Sequence, residues 1–200
     1  MIINSPLSNY GEVLPLIEAG ASAFYCGIVP KHRLRKTADL ELINRRPDYG
    51  ANFTDINKLY KAKLIAEEHG AELTVAFNEF YPQSQLDWIK DLLHEISAAG
   101  IKKIIVADIG LLKYLADNLS EIEVTVSIMS EIFNSQAISL LNEINPRIKK
   151  VILPYHLSLP ELKNIIAPFP EMQFETFVFN ELCHYEVGLC NFTHNPYRKN

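Results

Sequence analysis

Residues 92–108 read LLHEISAAGIKKIIVAD, and where this stretch changes character decides the fold. LLHEISAAG has the apolar period of a helix, Gly100 falls where a helix C-cap needs positive φ, and KIIVAD is a short β-rich run ending in a polar residue. That run is apolar on both faces, as a sheet covered on both sides requires.

The same unit recurs along the chain. LPLIEAG at 14–20 precedes ASAFYCG, LIAEEHG at 64–70 precedes AELTVAFN, and SLLNEINPR at 139–147 precedes IKKVILP. Gly20 and Gly70 repeat the stop at Gly100, and Pro146 blocks continuation after Asn145. Strands are expected at Ile2–Ile3, Ala23–Gly27, Leu73–Asn78, Lys103–Asp108, Val124–Ile128, Val151–Pro154 and Phe174–Phe179. Helices between most neighbours force parallel strands joined by crossovers. The expected fold is therefore α/β, a TIM-type (β/α) barrel with about seven β/α units, incomplete by its last one, in a single domain over 1–200. A doubly wound open sheet is the rival, but no GxGxxG or GxxxxGK[ST] follows any strand.

The chain has 200 residues, 48% of them hydrophobic, enough for a sizeable core. Nineteen basic against 24 acidic residues give a net charge of −5, which excludes a global cationic field for nucleic acid, so any RNA contact must be local. The N-terminal stretch lacks a signal-peptide pattern and no run approaches the roughly 20 apolar residues of a membrane span, so a cytoplasmic protein is expected. Three cysteines in a reducing compartment leave packing, metal ligation or redox chemistry open.

In a barrel of this type the loops after the strands build the site. Polar residues at those ends are Asn4, Ser5, Asn78, Glu79, Asp108, Ser127, Ser130, Glu131, Tyr155, His156, Asn180 and Glu181. Capping of the next helix is the competing reading for any one of them: Asp108 precedes IGLLKYLA and Ser158 precedes LPELKNII. Glu79 and Glu181 each follow an Asn, and two carboxylates facing one mouth can hold a metal or act as an acid/base pair; a solvated loop glutamate is the alternative.

A long irregular stretch after the second strand ends in INRRPDYGANFTD at 43–55. Arg45 and Arg46 present planar forks suited to carboxylate or phosphate, with Asn52 nearby, and Tyr49 or Phe53 can stack a ring. The competing reading is an exposed loop whose NFTD starts the next helix with Thr54 or Asp55 as cap. Near the end, ELCHYEVGLC at 181–190 holds Cys183 and Cys190, with His194 four residues on. The C-x6-C-x3-H spacing matches no common structural zinc pattern, and buried unligated thiols, zinc, or an iron–sulfur cluster with ligands from elsewhere all stay open. Cys26, inside AFYCG, reads as core.

Five stretches together resemble the collagenase-like peptidase family, peptidase U32. EAGASAFYCG at 18–27 is similar to the family's EAGADAVYLG, and NRRPDYGANFT is followed by a helix ending in HG. VADIGLL resembles VxDxGLL, VILPYHLSLPEL resembles xxLPRxLSxxEx, and FVFNELCHYEVGLCNFTH resembles the NERC(x)6C segments after the seventh strand. The resemblance covers nearly the whole chain in order. It implies a barrel-like domain and, for several members, hydroxylation of RNA pyrimidines or of the ubiquinone ring rather than collagen cleavage. It also implies a [4Fe-4S] cluster on four cysteines in some members, with Cys183 and Cys190 standing at the first two positions. Cys26 stands where the family has an aliphatic residue, a change expected in the barrel lining.

The leading expectation is a hydroxylase-like enzyme or component acting on a small-molecule or RNA substrate. Arg45, Arg46, Asn52, Asn78 and Asn180 would bind substrate, Glu79, Asp108 and Glu181 would be catalytic, and Cys183 and Cys190 would ligate a cluster or a divalent metal. The alternatives are a metal-dependent peptidase, for which no serine, cysteine–histidine or HExxH motif is visible, and a non-catalytic subunit with no cofactor. Open barrel edges would invite a partner subunit or a second copy.

Overall fold

The computed structural model describes residues 1–30, 43–46 and 49–178. In chain order its strands are β1 Asn4–Pro6, β2 Ala23–Ile28, β3 Asn52–Phe53, β4 Glu72–Phe77, β5 Lys103–Val106, β6 Glu123–Val126, β7 Ile148–Ile152 and β8 Gln173–Glu175. The helices are α1 Val13–Glu18, α2 Ile56–Glu68, α3 Gln83–Ala98, α4 Ile109–Asn118, α5 Ser135–Ile144 and α6 Leu159–Ile166. Gly20, Gly70 and Gly100 close α1, α2 and α3 at φ of 103°, 71° and 87°, the left-handed region that costs glycine little.

All ladders are parallel, and β1, β2, β4, β5, β6, β7 and β8 follow one another across the sheet in chain order, with β3 paired to β2 alone. A doubly wound sheet reverses its strand order at a switch point. Here the order never reverses, so each crossover adds a strand on the same side and the sheet curls as in a TIM-type barrel. The turn brings the first strand to the last: the Asn4 amide donates to both carboxylate oxygens of Glu175 on β8, at 3.1 and 3.0 Å. Among the described residues no backbone ladder joins β8 to β1.

The period of two along each strand separates two environments. Phe24, Cys26, Ile28, Val75, Phe77, Ile104, Val106, Val124, Val126 and Val151 pack in the main core with the helices. Ala76, Ile105 and Ile152, the alternate residues, form a second, smaller cluster inside the curl with Tyr25 and Ile128 against it. Cys26 therefore faces the helix layer and not the barrel lining, correcting that expectation: in β2 the lining residue is its neighbour Tyr25.

Strand boundaries move for local reasons. The first strand is Asn4–Pro6 and not Ile2–Ile3, whose side chains are exposed; Ile3 offers its carbonyl to the N–H groups of Ser22 and Ala23 and donates its own N–H to Ser22 Oγ. Pro6 is tolerated because β1 is an edge with one neighbour. The fifth and sixth strands end earlier than expected because Asp108 and Ser127 turn to capping. The seventh starts earlier, at Ile148, since α5 stops at Ile144 and only Asn145, Pro146 and Arg147 separate it from the ladder. The last strand ends at Glu175, and β3 is an addition. Asp55 and Ser158 cap α2 and α6, the latter in a capping box with Glu161.

Candidate functional site

The C-terminal mouth is organised by the short segment 43–46, which is fastened to three strands. Asn44 and Asn52 are buried, and the Asn44 amide donates to Asn52 Oδ1 at 2.9 Å beside Gly27. A Cβ on residue 27 would collide with both amides, reaching 2.6 Å from Asn44 Nδ2, so only glycine admits this pair. Arg46 is spent on the same fastening. Its Nε donates to the Ala51 carbonyl at 2.7 Å, Nη1 to the Tyr25 carbonyl at 3.4 Å and Nη2 to Ser8 Oγ at 3.3 Å. Its guanidinium also lies over the Tyr25 ring, 5.4 Å from the centroid.

Arg45 faces a different partner. Its N–H donates to Asn78 Oδ1 at 3.1 Å, and its Nε lies 2.8 Å from Glu79 Oε2, with side-chain exposures of 16% and 13%. This is an ion pair by distance, without alignment of the N–H on that oxygen. Glu79 Oε1 also accepts the N–H of Phe80. The pair holds one cation and one carboxylate side by side after β4, where an anionic group can compete with Glu79 for the Arg45 fork.

Asp108 caps α4 through the Leu111 N–H at 2.8 Å and accepts the Tyr81 N–H at 3.3 Å. The Tyr81 hydroxyl in turn donates to the Ile43 carbonyl at 2.6 Å, so Asp108 is tied to the 43–46 segment through one tyrosine. Burial pushes the Tyr81 phenol well up from its ordinary range, with the charges of Glu79 and Asp108 adding to it.

The structure thus groups Arg45, Asn78 and Glu79, ties Arg46 and Asn52 to the scaffold beneath them, and puts Asp108 one residue contact away. Phe53 is buried in the core and is no stacking surface. Ser127 caps a short turn, Ser130 donates to the Ala107 carbonyl, and Glu131 takes a left-handed φ of 49°. His156 packs against Phe133 and Tyr155, with ring centroids 5.2 and 5.4 Å apart. Asn180, Glu181, Cys183 and Cys190 lie outside the described residues. Among the described residues no three His, Cys, Asp or Glu side chains are grouped as a metal site, and no helix is long and apolar enough to cross a membrane.

Sequence reasoning passed over Tyr25, Lys150 and Glu175, which sit on the inner face. Their signal was present in the alternation: a lysine between Lys149 and Val151 in IKKVILP, and a glutamate beside Phe174, occupy the inward register of strands whose alternate residues, Val151 and Phe174, pack outward.

Residues 8–200 match the model of peptidase family U32. The chain is 24% identical over 187 residues to the tRNA hydroxylation protein P of Escherichia coli, and 23% identical over 189 residues to that of Helicobacter pylori. Each alignment takes in 93% of this chain but only 38% and 40% of the relative, so the chain spans about two fifths of their length. Among solved structures, the U32 peptidase Mk0906 superposes with a TM-score of 0.61 at 13% identity, over 88% of this chain and 68% of that one. An enolase protein from a Sargasso Sea environmental genome gives 0.55 at 12% identity, over 90% and 55%. An AP endonuclease of family 2 from Brucella melitensis gives 0.51 at 10%, over 99% of both chains. At these identities the superpositions speak for the barrel alone. By the family model, which takes in all but the first seven residues, the chain belongs to peptidase family U32.

Proposed function

We propose that this chain is the barrel of a hydroxylation-type enzyme or enzyme component that acts on an RNA base. The observation that carries this reading is the match to tRNA hydroxylation protein P over 93% of the chain. The mouth supports it: Arg45 offers a fork to a phosphate or carboxylate, Asn78 and Glu79 stand beside it, and Asp108 is tied to the same segment through Tyr81. The net charge of −5 fits recognition at this one place better than binding along a basic face.

In this reading Cys183 and Cys190 are metal ligands, with Asn180 and Glu181 next to them in sequence. Two thiolates are soft donors suited to zinc or to iron–sulfur iron, and a four-iron cluster would need two further ligands from outside this pair. Such a cluster would supply electron-transfer chemistry, while the residues at the mouth bind and orient the ring.

The test is genetic and chemical. Nucleosides from the RNA of a strain lacking the gene are expected to lose one species heavier than its parent by one oxygen, restored by the full-length gene. An unchanged nucleoside profile would overturn the assignment. Iron and sulfide analysis of anaerobically purified full-length protein, with and without Cys183→Ala, checks the ligands separately; equal iron content in the two would remove Cys183 from the set.

A further inference from the structure

The strands run parallel, so their N-terminal ends gather at the end of the barrel opposite the mouth. A cavity of about 270 Å³ opens at that end. Thr74, Lys103 and Lys150, which line it, each stand two residues before Ala76, Ile105 and Ile152 of the inner apolar cluster. The period of two therefore sets a polar layer directly beneath that cluster. The cluster lies between the cavity and the mouth, where Arg45 and Glu79 sit.

Two sets of polar groups line this cavity, and only one is used by the fold. At the opening, Lys103 Nζ lies 2.9 Å from Glu72 Oε2 and 3.7 Å from Glu123 Oε2, all three side chains partly exposed. Such cross-strand pairs fasten neighbouring strands and need no ligand. Deeper in, Thr125, Lys150 and Gln173 are in register on β6, β7 and β8, and Thr74 on β4 lines the same space. Thr74 and Thr125 keep only 7% and 8% of their surface, and neither hydroxyl has a hydrogen-bond partner among the described residues. A hydroxyl withdrawn from bulk water costs free energy unless something in the cavity meets it. A barrel end that only needed filling would be served at both positions by valine, which has the same shape.

Hydroxyl, ammonium and carboxamide can all donate, so the inner row suits an oxyanion. The charge around it limits which one. Lys150 is already offset by Glu175, 3.5 Å away, and Lys103 faces two carboxylates. Lys149 and Glu171, also lining the cavity, offset each other. A doubly charged phosphate would meet more carboxylate than ammonium charge here. A molecule that turns a carboxylate inward and an ammonium group outward, toward Glu72 and Glu123, finds a partner at each end. We infer that the strand N-terminal end of the barrel is a second binding site, separate from the mouth, for a small zwitterion of amino-acid type, with Thr74, Thr125, Lys150 and Gln173 receiving its carboxylate.

Calorimetric titration of the full-length protein tests this, with each common α-amino acid as a probe and with acetate, methylammonium and inorganic phosphate carrying the separate charges. The best amino acid is expected to bind at least about tenfold more tightly than any of those three ions. Thr125→Val and Thr74→Val are each expected to weaken that amino acid about tenfold while leaving the melting temperature unchanged or raised, because valine removes an unmet hydroxyl and keeps the shape. Gln173→Ala, at an exposed position, is a third variant expected to weaken binding, and the comparison among probes needs no variant. Absence of saturable binding by every amino acid up to about 10 mM overturns the inference. Phosphate binding as tightly as the best amino acid overturns it too. Valine variants that melt lower yet keep wild-type affinity would make the two threonines structural and overturn it as well.

Discussion

Arg45 Nε and Glu79 Oε2 lie 2.8 Å apart at the barrel mouth, both largely withdrawn from water. Removing one partner leaves the other charge in a poorly solvated place, which costs more than the pair itself contributes. Glu79→Ala is expected to destabilise the fold by about 3 kcal/mol, the low end for a broken buried pair. The Arg45→Met, Glu79→Met double variant is expected to recover most of it. Thermal or urea unfolding of the wild type, Glu79→Ala and the double variant checks this, and a double variant no more stable than Glu79→Ala would contradict it.

Gly27 has no room for a methyl group beside Asn44 and Asn52. Gly27→Ala should break the Asn44–Asn52 hydrogen bond and displace the segment that carries Arg45 and Arg46, at a cost of about 2 kcal/mol. Circular-dichroism melting gives the stability. If Arg45 binds RNA as proposed above, affinity for RNA should fall together with it, because the same shift moves the Arg45 fork.

Arg46→Lys tests how the arginine is used. Three separate donors engage Ala51, Tyr25 and Ser8, and an ammonium on a flexible stem cannot reproduce that fork. The expected loss is about 2 kcal/mol of stability, from charge-assisted hydrogen bonds left unmade. The same change at Arg45, which has one ion-paired side-chain contact, should be milder. Equal losses at the two positions would contradict this division of roles.

Alkaline unfolding should report Cys26. Burial pushes its thiol up to about 12, with Arg46 acting in the opposite direction. The native state holds this proton while the unfolded chain releases it above its ordinary value of 9.0. The stability contribution is therefore fully present below pH 9 and is lost as pH rises from there toward 12. One proton gives a slope of about −1.4 kcal/mol per pH unit in that window. Cys26→Val should remove this component and leave the one from Tyr81, whose phenol is raised as well. Denaturant midpoints between pH 8 and pH 10.5 would show a shallower decline for the variant.

The order of strands and helices was legible because α1, α2 and α3 stop at a glycine and α5 at an Asn-Pro, and no ambiguity of period arises between LLHEISAAG and KIIVAD. Closure by curling was legible only in part: alternation gives parallel strands, while the unreversed order that forces a curl appears in the pairing of β2 with β4 and β7 with β8. The mouth was half legible. Arg45, Asn78 and Glu79 are polar residues at strand ends and were readable as such. That Arg46 works downward on the scaffold depends on Tyr25 and Ser8, which lie 21 and 38 residues away in sequence. The contact between Asn4 and Glu175 was the least legible, since the two residues meet across 171 positions in sequence.

That separation has a kinetic side. Each strand on the sheet path pairs with a neighbour close behind it in sequence, so contacts between successive units close short loops and can form as the chain leaves the ribosome. The Asn4–Glu175 contact is the exception and closes nearly the whole described chain. Its loop entropy is recovered last, after the intervening units have docked. A nascent chain can thus acquire its helix-facing core early and yet leave its inner face unfinished until the strand that carries Glu175 has docked beside Asn4.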